Sequence, residues 1–363
     1  MKRIVLILAL VSGAVFYACG QSSSGPLANV RAVVVNSLGE NLSLIHAGDP
    51  VTVTKDAVVV GSAPNQALLF GSEILVISST SNSLEVIDPE TWTVARQYNL
   101  GEGCSPYLMA ITSNDLLLVT CFASNQLLKV DPLVEMSENP VIETLDMPTG
   151  SDLLPFNAQT PGHARPQGVA IVGNRAYVTL SNLGDDWMPA GPGLVLVVDI
   201  AAWTKDKIIE LGKTNPAMIY KPNSDKSRLY VPCTGAFDGT GVVEVLDSAS
   251  ETIANTIEIG GAPGRMWIDK EGNAWVGDQL DGRVLRFTVS NDQVGDAIML
   301  CPSDYNAGIY DYISDVATDG QGTVFAACFA TDQVKMFSAS GDGSDAVSLE
   351  VGDGPVALLV PQK

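Results

Sequence analysis

The sequence predicts an all-β fold, a seven-bladed β-propeller of four-stranded blades whose closing blade is shared by the N- and C-terminal strands. Three observations predict it. A pattern of proline, apolar strand, turn, second strand, polar hairpin and third strand recurs every 40 to 60 residues or so, with its prolines 42, 60, 50 and 47 residues apart. The composition is 46% hydrophobic and only 17% charged, with 34 Gly and 20 Pro, as short strands joined by many turns require. The two ends of the chain, finally, carry complementary fragments of one repeat.

The copies run in order. The first reads Pro64, Ile74–Ile77 and Leu84–Asp88; the second Pro106, Leu116–Thr120 and Leu127–Asp131; the third Pro166, Ala176–Thr179 and Val195–Asp199. The fourth reads Pro216, Leu229–Pro232 and Val243–Asp247, and the fifth Pro263, Ala274–Gly277 and Val284–Phe287. The sixth lacks the proline and shows Val316, Thr323–Ala326 and Val334–Phe337. Each closes with a fourth strand, such as Ile253–Ile259. Four short strands per repeat form a blade, which buries its faces only against neighbouring blades. Gly354–Val360 is one further innermost strand, and residues 31–60 hold the three strands it lacks, at Arg31–Val35, Asn41–His46 and Val51–Val60. Six whole blades and one shared blade close the ring without an open edge.

Ile74–Gly101 (ILVISSTSNSLEVIDPETWTVARQYNLG), Arg175–Asn182 (RAYVTLSN) and Arg228–Gly235 (RLYVPCTG) resemble the YVTN-type β-propeller repeat. The resemblance covers most of residues 61–363 and implies an exported or surface protein. It carries no function with it, because propellers host many unrelated activities.

The N-terminus is read apart from the fold. Met1-Lys2-Arg3 precedes an apolar run from Ile4 to Val15, too short for a membrane span of about 20 residues. Ala18-Cys19-Gly20 resembles a bacterial lipobox, which implies a signal peptide over 1–18 and lipidation of Cys19. A plain secretory signal cut after Ala18 is the alternative. On the lipoprotein reading, residues 19–30 are a flexible tether and 31–363 the propeller, with Gly20 directing the protein to the outer membrane. The net charge of −21 argues against nucleic acid as a partner and is compatible with cationic ligands.

Export permits disulfides. With Cys19 set aside, Cys121, Cys233 and Cys328 share one position in blades two, four and six, too far apart to pair with each other. Cys104 and Cys301 precede the innermost strands of blades two and six, at the same end as Cys121 and Cys328. The expected bridges are Cys104–Cys121 and Cys301–Cys328, with Cys233 a free thiol. No CxxC occurs, and the only histidines are His46, a structural residue of the closing blade, and His163.

The longest departures from the repeat are residues 148–165, 181–193, 234–241 and 301–312. They lie in connections between blades or in hairpins between second and third strands, which emerge on one face. They supply Phe156, His163, Arg165, Asp185, Asp186, Trp187, Phe237, Asp238, Asp304, Tyr305, Tyr310, Asp311 and Tyr312. Aromatic side chains interleaved with carboxylates suit a protein, a glycan or a small ligand. Loop drift, with the aromatics covering the channel mouth, is the plainer reading of the same residues. Asn65, Gln167, Arg265, Ser314 and Asp315 are expected to line the channel, with Arg265 and Asp315 pairing across adjacent inner strands.

The function this supports is a non-catalytic binding or scaffold module of the cell envelope, without a cofactor; an accessory subunit of an envelope complex is a variant of it. The alternative is a metal-dependent lactonase- or lyase-type propeller with Ca2+ or another divalent cation at its centre. Such a site needs several converging carboxylates. The inner strands instead offer Leu108, Gly168, Met218, Gly264 and Ala357, with Asp315 the one acid. No Ser/His/Asp order, HExxH or phosphate loop appears.

Overall fold

Apolar runs give the middle strands of each repeat two buried faces, each meeting a different neighbour in the ring, while the outermost strands are largely exposed. In a computed structural model, which describes residues 26–157, 162–222, 227–304 and 306–362, every regular element is a strand. Residues 1–18, where a signal peptide is expected, Cys19 and Tyr305 lie outside the described residues. Blade one comprises Pro64–Phe70, Glu73–Ser78, Ser83–Asp88 and Thr93–Asn99, here termed strands A to D from the channel outward. Blade two follows with Pro106–Ile111, Leu117–Cys121, Gln126–Val130 and Val141–Asp146. Blade three has Pro166–Val172, Arg175–Leu180, Leu194–Asp199 and Thr204–Glu210. Blade six has Ile313–Thr318, Thr323–Cys328, Gln333–Ser338 and Val347–Glu350.

The closing blade is shared as the sequence predicts. Its strand A is the C-terminal Pro355–Leu359, paired antiparallel to Val30–Asn36, which continues to Asn41–His46 and Thr52–Val59. Two blades depart from the regular pattern. Blade four keeps Arg228–Cys233, Val242–Asp247 and Thr252–Ile257, but its innermost segment touches strand B only through bridges at Pro216–Cys233 and Tyr220–Tyr230. Pro232 has no N–H to give that ladder. In blade five, Pro263–Ile268, Asn273–Asp278 and Arg283–Thr288 are regular, while the outer strand is split into Gln293–Val294 and Ile298–Met299.

The core consists of seven apolar clusters, one at each junction between blades. Strand B of blade one shows how the two-residue period produces this: Leu75 and Ile77 face blade two, while Ile74 and Val76 face the closing blade. Fully burying each such side chain contributes roughly 1.5–3 kcal/mol. Gly168 marks a close approach of inner strands, since a Cβ there would lie 2.6 Å from the backbone nitrogen of Ile219 in blade four.

Polar groups staple the junctions at the end of the ring that carries the B–C hairpins. The residues entering strand A in blades two, three and seven, Ser105, Arg165 and Gly354, all have left-handed backbone, with φ of 49°, 52° and 64°. Their N–H groups are turned toward the preceding blade, where Asn82, Asn125 and Asp332 accept them at 2.8, 2.8 and 2.9 Å. A second series runs deeper. Gln66 Oε1, Met218 Sδ and Asp315 Oδ2 occupy one position of strand A in blades one, four and six. Each accepts the N–H of the following blade's strand A, from Met109, Met266 and Leu358.

Candidate functional site

Two of the cysteine-bearing blades are built alike. Pro106 and Ile313 begin their inner strands opposite Cys121 and Cys328; Cys104 lies two residues before the first, and the 301–312 connection returns Cys301 to the second, so both fall within bonding reach. Cys104 is bonded to Cys121 and Cys301 to Cys328, while Cys233 is buried and free. Burial, with Glu244 nearby, pushes the Cys233 thiol well up. After each bridge follows Phe-Ala, and each phenylalanine holds a tyrosine. Phe329 stacks on Tyr312 with centroids 4.9 Å apart, and Phe122 lies tilted at 5.9 Å from Tyr107. Phe122, Phe329 and Tyr107 were not among the expected site residues. The signal that could have found them is the repeated Cys-Phe-Ala at 121–123 and 328–330.

The enlarged hairpin of blade three folds over the first of these pairs. Trp187 stacks on Phe122 at 6.2 Å, and the Arg165 guanidinium lies 4.4 Å from the Trp187 ring centre and 5.9 Å from that of Phe122. Arg165 donates to the Ala123 carbonyl at 2.8 Å, and burial pushes its pKa down. His163 meets the exposed Asp185 at 2.8 Å. The loops thus bring His163, Arg165, Asp185 and Trp187 together with Phe122.

Other expected residues serve the fold. Phe156 packs against the core cluster between blades two and three. Asp311 is buried, accepting the N–H groups of Tyr312 and Ala330 and the hydroxyl of Thr331. Asp304, Asp186 and Asp238 accept backbone N–H groups within their own turns, and Asp238 is lowered by its bonds to Thr240. Phe237 and Tyr310 are exposed.

Seven of the fifteen exposed large apolar side chains of the described residues lie in this face's loops: Leu38, Leu154, Trp187, Met188, Phe237, Leu280 and Tyr310.

At the channel itself, Asn65, Gln167 and Ser314 are engaged in holding blades. Asn65 and Ser79 bond each other and the Pro106 carbonyl; Gln167 donates to Ser181; Ser314 donates to the Pro355 carbonyl at 2.5 Å. Arg265 and Asp315 do stand side by side, but at 4.0 Å, beyond hydrogen-bond reach. The firm partner of Arg265 is the Asn65 carbonyl at 2.8 Å, on blade one, across the channel from blade five. Asp315 is buried, which raises its pKa to about 6 against the pull of Arg265 and two backbone N–H groups.

Among the described residues, one group places three possible metal-ligand side chains close together: Cys301, Asp311 and Cys328. Its two sulfurs are bonded to each other and its carboxylate is already taken up by hydrogen bonds, so the donor set does not suit a cation.

No family model and no curated protein matches the chain. Solved structures do match in fold. A functionally unknown protein from Desulfotomaculum acetoxidans is 14% identical, with a TM-score of 0.66 over 91% of this chain and 98% of that one. Kuenenia stuttgartiensis hydrazine synthase is 15% identical, with a TM-score of 0.60 over 81% and 88%. The dihydro-heme d1 dehydrogenase NirN in complex with DHE is 15% identical, with a TM-score of 0.57 over 92% and 75%. At these identities the likeness establishes the propeller fold.

Proposed function

We propose that this chain is an exported lipoprotein of the YVTN-repeat type. On this reading it is anchored through Cys19 in the outer membrane and acts by binding or scaffolding through its loop-rich face. The observation that carries the reading is the concentration of apolar and aromatic side chains on that face, from loops that break an otherwise regular repeat. Two disulfides beneath it stiffen the surface, which lowers the ordering cost of binding. A single buried carboxylate among the inner-strand positions, already accepting two backbone N–H groups, favours binding over metal-dependent hydrolysis.

The test uses the full-length protein immobilised against envelope extracts, beside a variant in which residues 181–193 are replaced by an Asn-Gly turn. The intact protein is expected to retain a protein or glycan that the shortened one loses, and Cys19→Ser to leave the membrane fraction. Equal retention by both forms would overturn the binding-face assignment. Unchanged membrane partition of Cys19→Ser would overturn the anchor.

A further inference from the structure

We infer that the outer cleft between blades five and six, at the end of the ring opposite the B–C hairpins, binds a small carboxylic acid with an apolar body, its carboxylate seated on Arg286. The site lies away from the loop-rich face and does not depend on the binding reading given for that face.

One position of the repeat carries a cation twice. Lys129 of blade two and Arg286 of blade five stand at the same place in strand C, opposite Leu118 and Trp275 of strand B. Lys129 is well partnered. Strand D sets Glu143 against its ammonium at 2.5 Å, the Ile200 carbonyl of the next blade lies at 3.3 Å, and the Trp203 ring centre at 4.2 Å. Blade five offers none of these. Its strand D presents Gly295, whose N–H bonds the Arg286 carbonyl. A Cβ on that glycine would lie 3.1 Å from the Arg286 Nε and 3.2 Å from its Cγ, so the half-buried arginine runs over the glycine along the cleft. Ala339 and Asp342 stand where Ile200 and Trp203 do in blade three. Asp342 accepts the N–H of Ser344; that bond lowers its pKa most and the Arg286 charge least. Among the described residues the Arg286 guanidinium has no hydrogen-bond acceptor and no carboxylate within ion-pair distance. A guanidinium has five N–H donors and stays charged at ordinary pH, so its fork is open to a planar anion.

A second change in the same repeat leaves the cleft open. The first residue of strand B, opposite the last of strand C, is Arg175 in blade three, Arg228 in blade four and Asn273 in blade five. Arg175 reaches Asp206 and extends toward Glu251 of the next blade, and Arg228 donates to the Val289 carbonyl and Asp292 of the next blade. Asn273 is short and turns back to Asp269 at 3.0 Å. The junction with blade six thereby keeps a cleft of about 310 Å³ walled by Arg286, Trp275, Phe287, Val294 and Ala339. The carboxylate that blade two supplies from strand D is here left to a ligand, and the apolar walls receive its body. Asp296, which also lines the cleft, repels a second negative charge and so favours a carboxylate over a phosphate dianion.

The experiment is ligand-observed NMR titration of the full-length protein with 4-methylpentanoate and phenylacetate, each beside its neutral amide, and with inorganic phosphate. At least one acid is expected to bind tenfold or more tightly than its amide and than phosphate. Arg286→Gln removes a side chain that has no partner to lose, so the circular dichroism should stay unchanged while the acid weakens at least tenfold and the amide does not. Gly295→Glu gives blade five the acid that Glu143 provides in blade two, and is expected to close the site to the acid by the same factor. The form with residues 181–193 replaced by an Asn-Gly turn is expected to bind the acid as the wild type does. Equal binding of acid and amide, binding of neither acid, phosphate as tight as the acids, or acid binding retained by Arg286→Gln or Gly295→Glu would each overturn the inference. Loss of acid binding on shortening 181–193 would put the site on the loop-rich face and overturn it equally.

Discussion

The end of the propeller that carries the A–B and C–D turns and the end that carries the B–C hairpins come from one repeat and depart from it differently. The first lengthens the C–D connections of blades two and six, whereas the second carries the insertions at 148–165, 181–193, 234–241 and 301–312. At the C–D turns, Asp88, Asp131, Asp199 and Asp247 each end strand C and accept N–H groups two or three residues on. Trp92, Trp203 and Glu251 then supply a left-handed residue at a fixed offset. Each turn satisfies itself and needs nothing from outside. At the other end, hairpins of equal strand geometry carry insertions, two disulfides and seven exposed apolar side chains.

The largest break in this contrast is expected from the bridges. They close loops of 17 and 27 residues, for which the chain-entropy account gives about 3 to 4 kcal/mol each. Cys301→Ala/Cys328→Ala is expected to lower the unfolding free energy by that amount in urea titrations and to open residues 301–312 to limited proteolysis. A loss well under 1 kcal/mol, with the loop still protected, would mean that hydrogen bonds to Asp311 hold this segment without the bridge.

A second break is pH-dependent. Burial raises Asp315 to about 6 from an ordinary 3.8, so the native state holds its proton more tightly than the unfolded chain does. The associated stability is full below about 3.8 and is lost as pH rises through about 6, on the order of 3 kcal/mol in all. The unfolding free energy of the wild type should therefore fall relative to Asp315→Asn between pH 4 and pH 7.5. Asp88 has its pKa lowered by bonds from Glu90 and Thr91, so its stabilisation is full above about 3.8 and is lost as pH falls below that. Relative to Asp88→Asn the wild type should lose stability on acidification below about pH 4, the opposite slope in a lower window. Parallel pH curves for wild type and Asp315→Asn would remove Asp315 from the list of perturbed acids.

Legibility in the sequence follows the same division. The seven blades, the shared closing blade and the cysteine partners could be read because they depend on strand period and register, which are local. The weak inner strand of blade four has a visible cause in Pro232, which the repeat places inside the second strand Leu229–Pro232. The cross-channel bond from Arg265 to Asn65 joins residues 200 apart in sequence, and no local pattern announces it. The acceptors Gln66, Met218 and Asp315 do one job with three chemistries, so they form no motif. Asp311 looked like a site residue because an acid among tyrosines in a long loop resembles one; its burial beneath the loop became apparent only in three dimensions.

The smallest effect separates two staples that the repeat makes equivalent. Asn82 and Asn125 both sit in left-handed backbone and both accept the N–H that enters the next blade. Replacing either with Ala removes that acceptor and puts a residue less tolerant of left-handed backbone than asparagine where φ is +53° or +60°, for a cost of about 1 to 2 kcal/mol. The two variants should therefore shift the urea midpoint alike. They should differ in what hangs from the staple. Asn82 holds Ser105, whereas Asn125 holds Arg165, whose guanidinium packs on Trp187 and Phe122. Asn125→Ala should thus change the emission of the exposed Trp187, read as the difference from the same variant carrying Trp187→Phe, and Asn82→Ala should not. Equal spectra would show that the Trp187 stack is held by its own hairpin, leaving the loop-rich face independent of the ring that carries it.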